Sequence, residues 1–332
     1  MKIAVVGSGA WGTALAIRLC KNNHDVTLWT YKPERVPEMV ATRYNPRLSC
    51  AILPESLKLS GDFACVSGCE MVVVASPSFP MRSVCRGIAP YLSPDALLVS
   101  VTKGIEEGTC LRMSQILEAE TGREVVVLTG PSHAEEVARE LPTACLAACP
   151  DREKAERVQD AFMADCFRVY TSPDPVGAEL GGALKNVIAM CAGVVDGLGY
   201  GDNTKAMLMT RGLTEIARLG RAMGAHKDTF AGLAGVGDLI VTCTSRHSRN
   251  RHAGMLIGQG KGVQEAMQEV GAVVEGYYAA KSAYALGKKM GVEMPITTAA
   301  YKVLYEGRSA ADVVRELLHR SRKAESEDAG WL

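Results

Sequence analysis

Along the first half of the chain, short apolar runs rich in β-branched residues alternate with amphipathic stretches. The runs at 2–6, 25–29, 71–75, 97–101, 125–128, 144–148 and 167–170 predict strands, and stretches such as 110–120 and 153–163 predict helices between them. Alternation of this kind predicts a parallel sheet covered by helices on both faces. The pattern changes at Thr171-Ser172-Pro173-Asp174-Pro175, where two prolines break the chain, and helical periodicity then dominates to about residue 318. The chain therefore divides near residue 176 into an α/β domain, 1–176, and an all-α domain, 177–332, whose polar end from 321 should fray. A length of 332 residues suits two cores better than one.

Composition contributes mainly exclusions. Lys plus Arg and Asp plus Glu are equal at 37 each, so no global field draws the chain to nucleic acid or to a membrane. No unbroken apolar run approaches the ~20 residues of a membrane span. The apolar start at 3–6 leads straight into a glycine loop and reads as a strand, not as a signal peptide. Eleven cysteines lie scattered without a repeated framework. The pairs Cys65/Cys69 and Cys145/Cys149 lack zinc spacing, so no metal site is expected. Buried free thiols fit a reducing compartment, and a cytoplasmic protein is expected.

The glycine loop is Gly7-Ser8-Gly9-Ala10-Trp11-Gly12, which follows a strand and opens a helix, with a second strand ending near Trp29. In that setting Gly7 permits a tight turn and Gly9 lets backbone approach a pyrophosphate. Gly12 lets helix and strand pack closely, and the phosphates sit at the helix N-terminus. The loop reads as a dinucleotide site. At the tip of the second strand, where an NAD site usually carries Asp or Glu, stands Thr30-Tyr31-Lys32. Lys32 suits a 2′-phosphate and Tyr31 suits stacking on adenine, which favours NADP over NAD; an ordinary solvated lysine is the plainer alternative. Loops at 76–78, 102–104 and 129–132 follow later strands at the same sheet edge, and Lys103 among them sets a cation facing the crevice.

Residues 177–198 predict one long helix carrying Lys185. At helical spacing from it stand Ala178, Gly181, Gly182, Ala189, Ala192 and Gly193, all small, while Leu180, Leu184, Val187, Ile188, Cys191 and Val194 form a bulky stripe expected in the core. A glycine within a helix costs about 1 kcal/mol against alanine. Either close helix packing or room for Lys185 to reach a reacting carbonyl oxygen answers for that cost. A second cluster begins at Gly235, includes Asp238 and Thr242, and ends in Ser245-Arg246-His247-Ser248-Arg249-Asn250-Arg251. Three arginines with serines and an asparagine suit a phosphate monoester, against the plainer reading of a solvated basic loop. Cys243, inside this cluster, is either oxidation-sensitive or a buried inert thiol.

Five blocks, GSGAWGTALA at 7–16, SVTKG at 100–104, LTGPSHAEE at 128–136, GALKNVIA at 182–189 and GVGDLIVTCTSRHSRN at 235–250, resemble the bacterial soluble NAD(P)-dependent glycerol-3-phosphate dehydrogenases. The resemblance runs from residue 2 to about 318. It implies a Rossmann-like α/β N-terminal domain and an all-α C-terminal domain of the 6-phosphogluconate dehydrogenase-like type. The implied reaction interconverts dihydroxyacetone phosphate and sn-glycerol 3-phosphate, supplying glycerophospholipid synthesis. Lys185 falls at the family's acid/base position. Lys103, Gly130, Ser132, Asp238, Ser248, Arg249 and Asn250 fall at its substrate positions. Ala10, Trp11, Lys103, Ala134, Arg249, Val273 and Glu275 fall at its cofactor positions. Many relatives carry Arg or His where this chain has Tyr31 and Lys32, and 45–53 matches loosely, so no contacts are carried over from that segment.

On this reading Ser248, Arg249 and Asn250 hold the phosphate, and Lys185 protonates the alkoxide formed by hydride transfer. Lys103 adds positive charge where the oxyanion grows and would lower the pKa of Lys185 by repulsion, while Asp238 orients Lys185 and opposes that shift; the sequence does not decide which effect wins. Two other readings share the architecture: a reductase of another small hydroxy or keto acid, and a non-catalytic NADP-sensing protein. The arginine-rich loop argues against an unphosphorylated substrate, and a sensor leaves Lys185 and Asp238 without a task. The sequence is compatible with a homodimer.

Overall fold

The computed structural model describes residues 1–322, 324 and 325. The polar end expected to fray therefore lies, from 326 on, outside the described residues. The first part carries strands β1 (Lys2–Val6), β2 (Asp25–Trp29), β3 (Lys58–Ser60), β4 (Met71–Val74), β5 (Leu97–Ser100), β6 (Val125–Thr129), β7 (Thr143–Ala148) and β8 (Phe167–Ser172). Helices α1 (Ala10–Lys21), α2 (Val36–Thr42), α3 (Met81–Ile88), α4 (Met113–Thr121), α5 (Ala134–Ala138) and α6 (Arg152–Phe162) connect them. The strands form one sheet in the order β3-β2-β1-β4-β5-β6-β7-β8. Ile3, Val5, Leu15 and Leu28 build the core on one face, and Val72, Val74, Met81 and Leu117 build it on the other.

All seven expected strands are present, with ends shifted by at most two residues. The eighth, β3, has only the three residues Lys58-Leu59-Ser60, too few for a period of two to show. The expectation of a wholly parallel sheet is corrected at one place, because β6 and β7 pair antiparallel. Only the five-residue α5 lies between them. At ~1.5 Å per residue it spans less than the length of a strand and cannot carry the chain back to the opposite edge for a parallel return. Helix α4 also starts later than expected, since Cys110 is left-handed at φ 62° and Arg112 is extended.

Strand β1 has β2 on one side and β4 on the other, both parallel. The winding reverses between β1 and β4, which makes their carboxyl ends the switch point where open α/β sheets take ligands.

Beyond Ser172 the chain is helical: α7 (Pro175–Gly197), α8 (Asp202–Ala222), α9 (Asp238–Thr244), α10 (Arg249–Gly258), α11 (Val263–Val270), α12 (Glu275–Met290), α13 (Pro295–Tyr305) and α14 (Ala310–Leu318). Helix α7 is the axle of this domain. By length and mean hydropathy it matches a membrane span, although no unbroken apolar run announces it; 89% of its apolar window is buried within the protein. Glu179 and Lys185 interrupt that run, and both are buried and partnered.

Glu179 ties the two domains. Its carboxylate accepts from the Ser114 amide at 2.8 Å and the Ser114 hydroxyl at 2.7 Å, and pairs with Arg112 at the start of α4. Beside it, Ala178 and Ala234 pack on Val127 and Ala148 of the sheet. Removing one partner of a buried pair leaves an uncompensated charge, at a cost of about 3–5 kcal/mol. Glu179→Ala should therefore lower the unfolding free energy by about that amount in urea titration; a midpoint equal to wild type would show that this carboxylate does not hold the domains.

Candidate active site

The three loop glycines answer to three different constraints. Gly7 sits at φ 129°, and a Cβ there would lie 2.5 Å from the Ala75 carbonyl oxygen. At Gly12 a Cβ would lie 2.0 Å from the Gly7 oxygen, so α1 can approach β1 only without a side chain. Gly9 is extended and exposed, with no protein atom within 4 Å of a Cβ. It caps α1 without a side-chain hydrogen bond, leaving the first amides of α1, from Ala10 onward, directed at open space. The cradle fits a pyrophosphate.

Trp11 is half-buried against the sheet core, and Ala134 is buried at the start of α5. Tyr31 is 65% exposed at the end of β2, with the Lys32 ammonium 5.6 Å from its ring centroid. Val273 and Glu275 lie across the cleft, at the start of α12.

Lys185 is buried on α7. Its ammonium donates to Asp238 Oδ1 and, at 2.6 Å, to the Thr242 hydroxyl, both on α9. Thr242 in turn donates to the Asp238 carbonyl at 2.6 Å. From the sheet side, Lys103 Nζ donates to Asp238 Oδ2 at 2.6 Å and to the Gly130 carbonyl at 3.1 Å. The Ser132 hydroxyl donates to that same carbonyl at 3.0 Å. Three segments far apart in sequence, the loop after β5, α7 and α9, thus meet at one carboxylate, and the loop at 130–132 steadies Lys103 from behind.

Burial pushes the Lys185 ammonium down to about 8, against the pull of Asp238, with Lys103 adding to the fall. The sequence set repulsion by Lys103 against attraction by Asp238 without deciding between them; of the two Asp238 is the stronger, and the net fall comes from desolvation. Cys243 is fully buried and its thiol is pushed up to about 12, which makes it the inert alternative.

The arginine cluster does not converge as expected. Arg251 turns away and pairs with Asp196 at 2.7 Å, and Arg246 is exposed on the loop before α10. Ser248 caps α10 by accepting from the Arg251 amide at 3.2 Å. Asn250 donates to Asn186 Oδ1 and accepts from the Gly276 amide, each at 2.9 Å. Of the expected phosphate ligands, the exposed guanidinium of Arg249 at the N-terminus of α10 is the one whose side chain is uncommitted among the described residues.

Three residues escaped sequence reasoning. Asn45 is buried and donates from one nitrogen to the Ser8 carbonyl at 3.0 Å and to the Thr13 hydroxyl at 2.8 Å, bracing the glycine loop from outside. The Asn-Pro dipeptide signalled only a turn. His133, next to Ser132, has a buried Nε2 without a hydrogen-bond partner. Burial and the charge of Lys185 hold its imidazole below the ordinary range. Ser78 donates from its amide and its hydroxyl to Glu275, 197 residues away, a pairing that no local pattern announces.

Two family models match the chain. One, described as NAD-dependent glycerol-3-phosphate dehydrogenase N-terminus, covers residues 2–155; the other, described as the C-terminus, covers 174–315. The chain belongs to the NAD-dependent glycerol-3-phosphate dehydrogenase family. A relative from Thermoanaerobacter sp. (strain X514), named glycerol-3-phosphate dehydrogenase (NAD(P)+), is 49% identical over 326 residues, covering 98% of this chain and 99% of its own. The crystal structure of the glycerol-3-phosphate dehydrogenase from Coxiella burnetii matches with a TM-score of 0.92 at 38% identity, over 96% of this chain and 99% of that one. A ketopantoate reductase from Ralstonia eutropha, 17% identical with a TM-score of 0.62 over 96% of this chain and 100% of its own, shares the fold alone. Architecture does not choose between these substrates; membership of the glycerol-3-phosphate dehydrogenase family does.

The glycine geometry gives a paired test in this dehydrogenase. Gly9→Ala should leave the thermal midpoint near wild type and raise the NAD(P)H KM at least tenfold, because its Cβ meets only the space a pyrophosphate needs. Gly12→Ala should instead lower the midpoint by several degrees, because its Cβ collides with backbone. Equal midpoints for the two variants would contradict these separate roles.

Proposed function

We propose that this family member reduces dihydroxyacetone phosphate to sn-glycerol 3-phosphate, using Lys185 as the acid and Arg249 as the principal side-chain grip on the phosphate. The cofactor, NADPH in preference to NADH, supplies the hydride that reaches C2. The preference rests on Tyr31 and Lys32, which put a ring and a cation, and no carboxylate, at the end of β2. Residues 1–176 serve as the dinucleotide-binding domain and 177–332 as the substrate domain. The balanced charge and the eleven free thiols support a cytoplasmic enzyme, and its product suits glycerophospholipid synthesis.

The observation that carries the mechanism is the buried pair of Lys185 and Asp238, joined by the half-buried Lys103, at the carboxyl edge of the sheet. As C2 accepts hydride, its carbonyl oxygen becomes an alkoxide. Lys185 stabilises that charge by a hydrogen bond and then transfers a proton, leaving a neutral amine that takes a proton from water before the next turnover. Lys103 adds positive charge beside the same oxygen, and Asp238 fixes the direction of both ammonium groups. Arg249 and the first amides of α10 face a dianion with a forked cation and a helix N-terminus.

Oxidation of NADPH on addition of dihydroxyacetone phosphate tests the reading directly. Lys185→Ala should cut kcat by about 10²–10⁴-fold while NADPH binding survives; near-normal turnover removes Lys185 as the acid. Arg249→Ala should raise the substrate KM by at least tenfold with a smaller change in kcat.

The pH profile should have opposite signs in the two directions. Reduction needs the protonated lysine, so its kcat/KM should be level below about 8 and fall above it. Oxidation needs the neutral amine as base, so its rate should climb towards about 8 and level off beyond. Parallel profiles in both directions would exclude one lysine serving both.

A further inference from the structure

Ser78 lies on the loop after β4, at the switch point where the dinucleotide crosses the sheet, yet it bonds to the helical domain. Its amide donates to Glu275 Oε1 at 3.2 Å and its hydroxyl to Oε2 at 2.6 Å. Glu275 is the first residue of α12, and the next, Gly276, donates its amide to Asn250 Oδ1 at 2.9 Å. Asn250 donates to Asn186, the neighbour of Lys185 on α7. On its other side Ser78 packs against Gly104, the neighbour of Lys103, where an added Cβ would lie 2.4 Å from the Ser78 Cβ. One serine thus touches the neighbour of one active-site lysine, and three hydrogen-bonded steps lead from it to the neighbour of the other.

The same face of α12 continues this seam turn by turn. Three residues on from Glu275, Tyr278 meets Phe79 at 6.0 Å between ring centroids, and three further on Lys281 pairs with Glu107. Glu275 is also where a neutral donor from across the cleft and a charge from its own side meet. Burial pushes its carboxyl up, while the two Ser78 bonds and the charge of Arg249 pull against that rise.

We propose that Ser78 is a positioning residue that latches Glu275 across the dinucleotide crevice and, through Gly276 and Asn250, makes the cofactor side and the substrate side of the cleft one hydrogen-bonded unit. This rests on the functional reading above. Cofactor affinity and substrate affinity then share a single device, and loosening it at the cofactor end weakens the grip at the substrate end.

The test is a double-variant cycle with Ser78→Ala, Asn250→Ala and both together, measuring kcat and both KM values, with NADPH Kd by fluorescence titration and the thermal midpoint alongside. Ser78→Ala should raise the KM for NADPH and for dihydroxyacetone phosphate by about tenfold each, with kcat within about threefold of wild type and the midpoint within a few degrees. In the Asn250→Ala background the same change should still raise the NADPH KM about tenfold but move the substrate KM less than about twofold, because the link is already cut. A substrate KM unmoved by Ser78→Ala, or substrate effects that multiply in the double variant, would overturn the relay. Wild-type protein that binds NADPH but fails with dihydroxyacetone phosphate sinks the functional reading instead. Ser78→Ala that binds NADPH as wild type does sinks the latch.

Discussion

The carboxylate of Asp238, 1% exposed, receives one lysine from each domain: Lys103 from the loop after β5 and Lys185 from the middle of α7. Buried ion pairs are poor sources of net stability, because desolvating the charges offsets most of their attraction, but breaking one is costly. That asymmetry gives the arrangement its use. Neither lysine can leave without abandoning a buried anion, so both are held in place before any substrate arrives. Two cations on one anion also leave a surplus of positive charge, which a substrate oxyanion would complement. The lowered pKa of Lys185 follows from the same burial, so position and acidity come from one constraint.

How far the sequence exposed this arrangement depends on how local each signal is. The glycine loop was legible because strand, turn and helix all lie within about twenty residues, and the structure gives Gly7 the turn and Gly12 the close packing their spacing implied, with open space at Gly9. Lys185 was visible because it interrupts a helix of small and apolar residues. Its companions were visible singly, Lys103 as a cation at a strand end and Asp238 and Thr242 within the second cluster, but no local pattern joins them to Lys185, from which each is 50 residues or more away. Ser78 was visible only as part of an edge loop and Asn45 as a turn residue; their partners Glu275 and Ser8 are set by tertiary packing, and an isolated Ser or Asn in a turn has many plainer explanations. Arg251 misled in the opposite sense. Composition grouped it with Arg249, but two places along α10 is 200° around the helix, and its side chain meets Asp196 on the far side.

The glycines of α7 show why the two readings of that helix are not rivals. At Gly193 an added Cβ would lie 2.0 Å from the Arg251 carbonyl, and at Gly181 2.3 Å from the Ala234 carbonyl. Those positions admit α10 and the turn before α9, so they serve packing. Gly182 differs, since its Cβ would meet the Thr129 hydroxyl at 2.9 Å and the Lys103 stem at 3.6 Å. There the missing side chain makes room for Thr129 at the end of β6, while the Lys103 stem passes at ordinary contact distance on its way to Asp238. Close packing of α9 against α7 then carries that carboxylate to Lys185, three residues further along. A bulkier residue at 181 would separate α9 from α7, and one at 182 would press on Thr129 and so part α7 from the sheet edge that carries Lys103. The stripe of small residues is therefore the steric condition under which two lysines from different domains can share one carboxylate. Its cost in helix propensity is tolerated because the chemistry depends on that shared carboxylate.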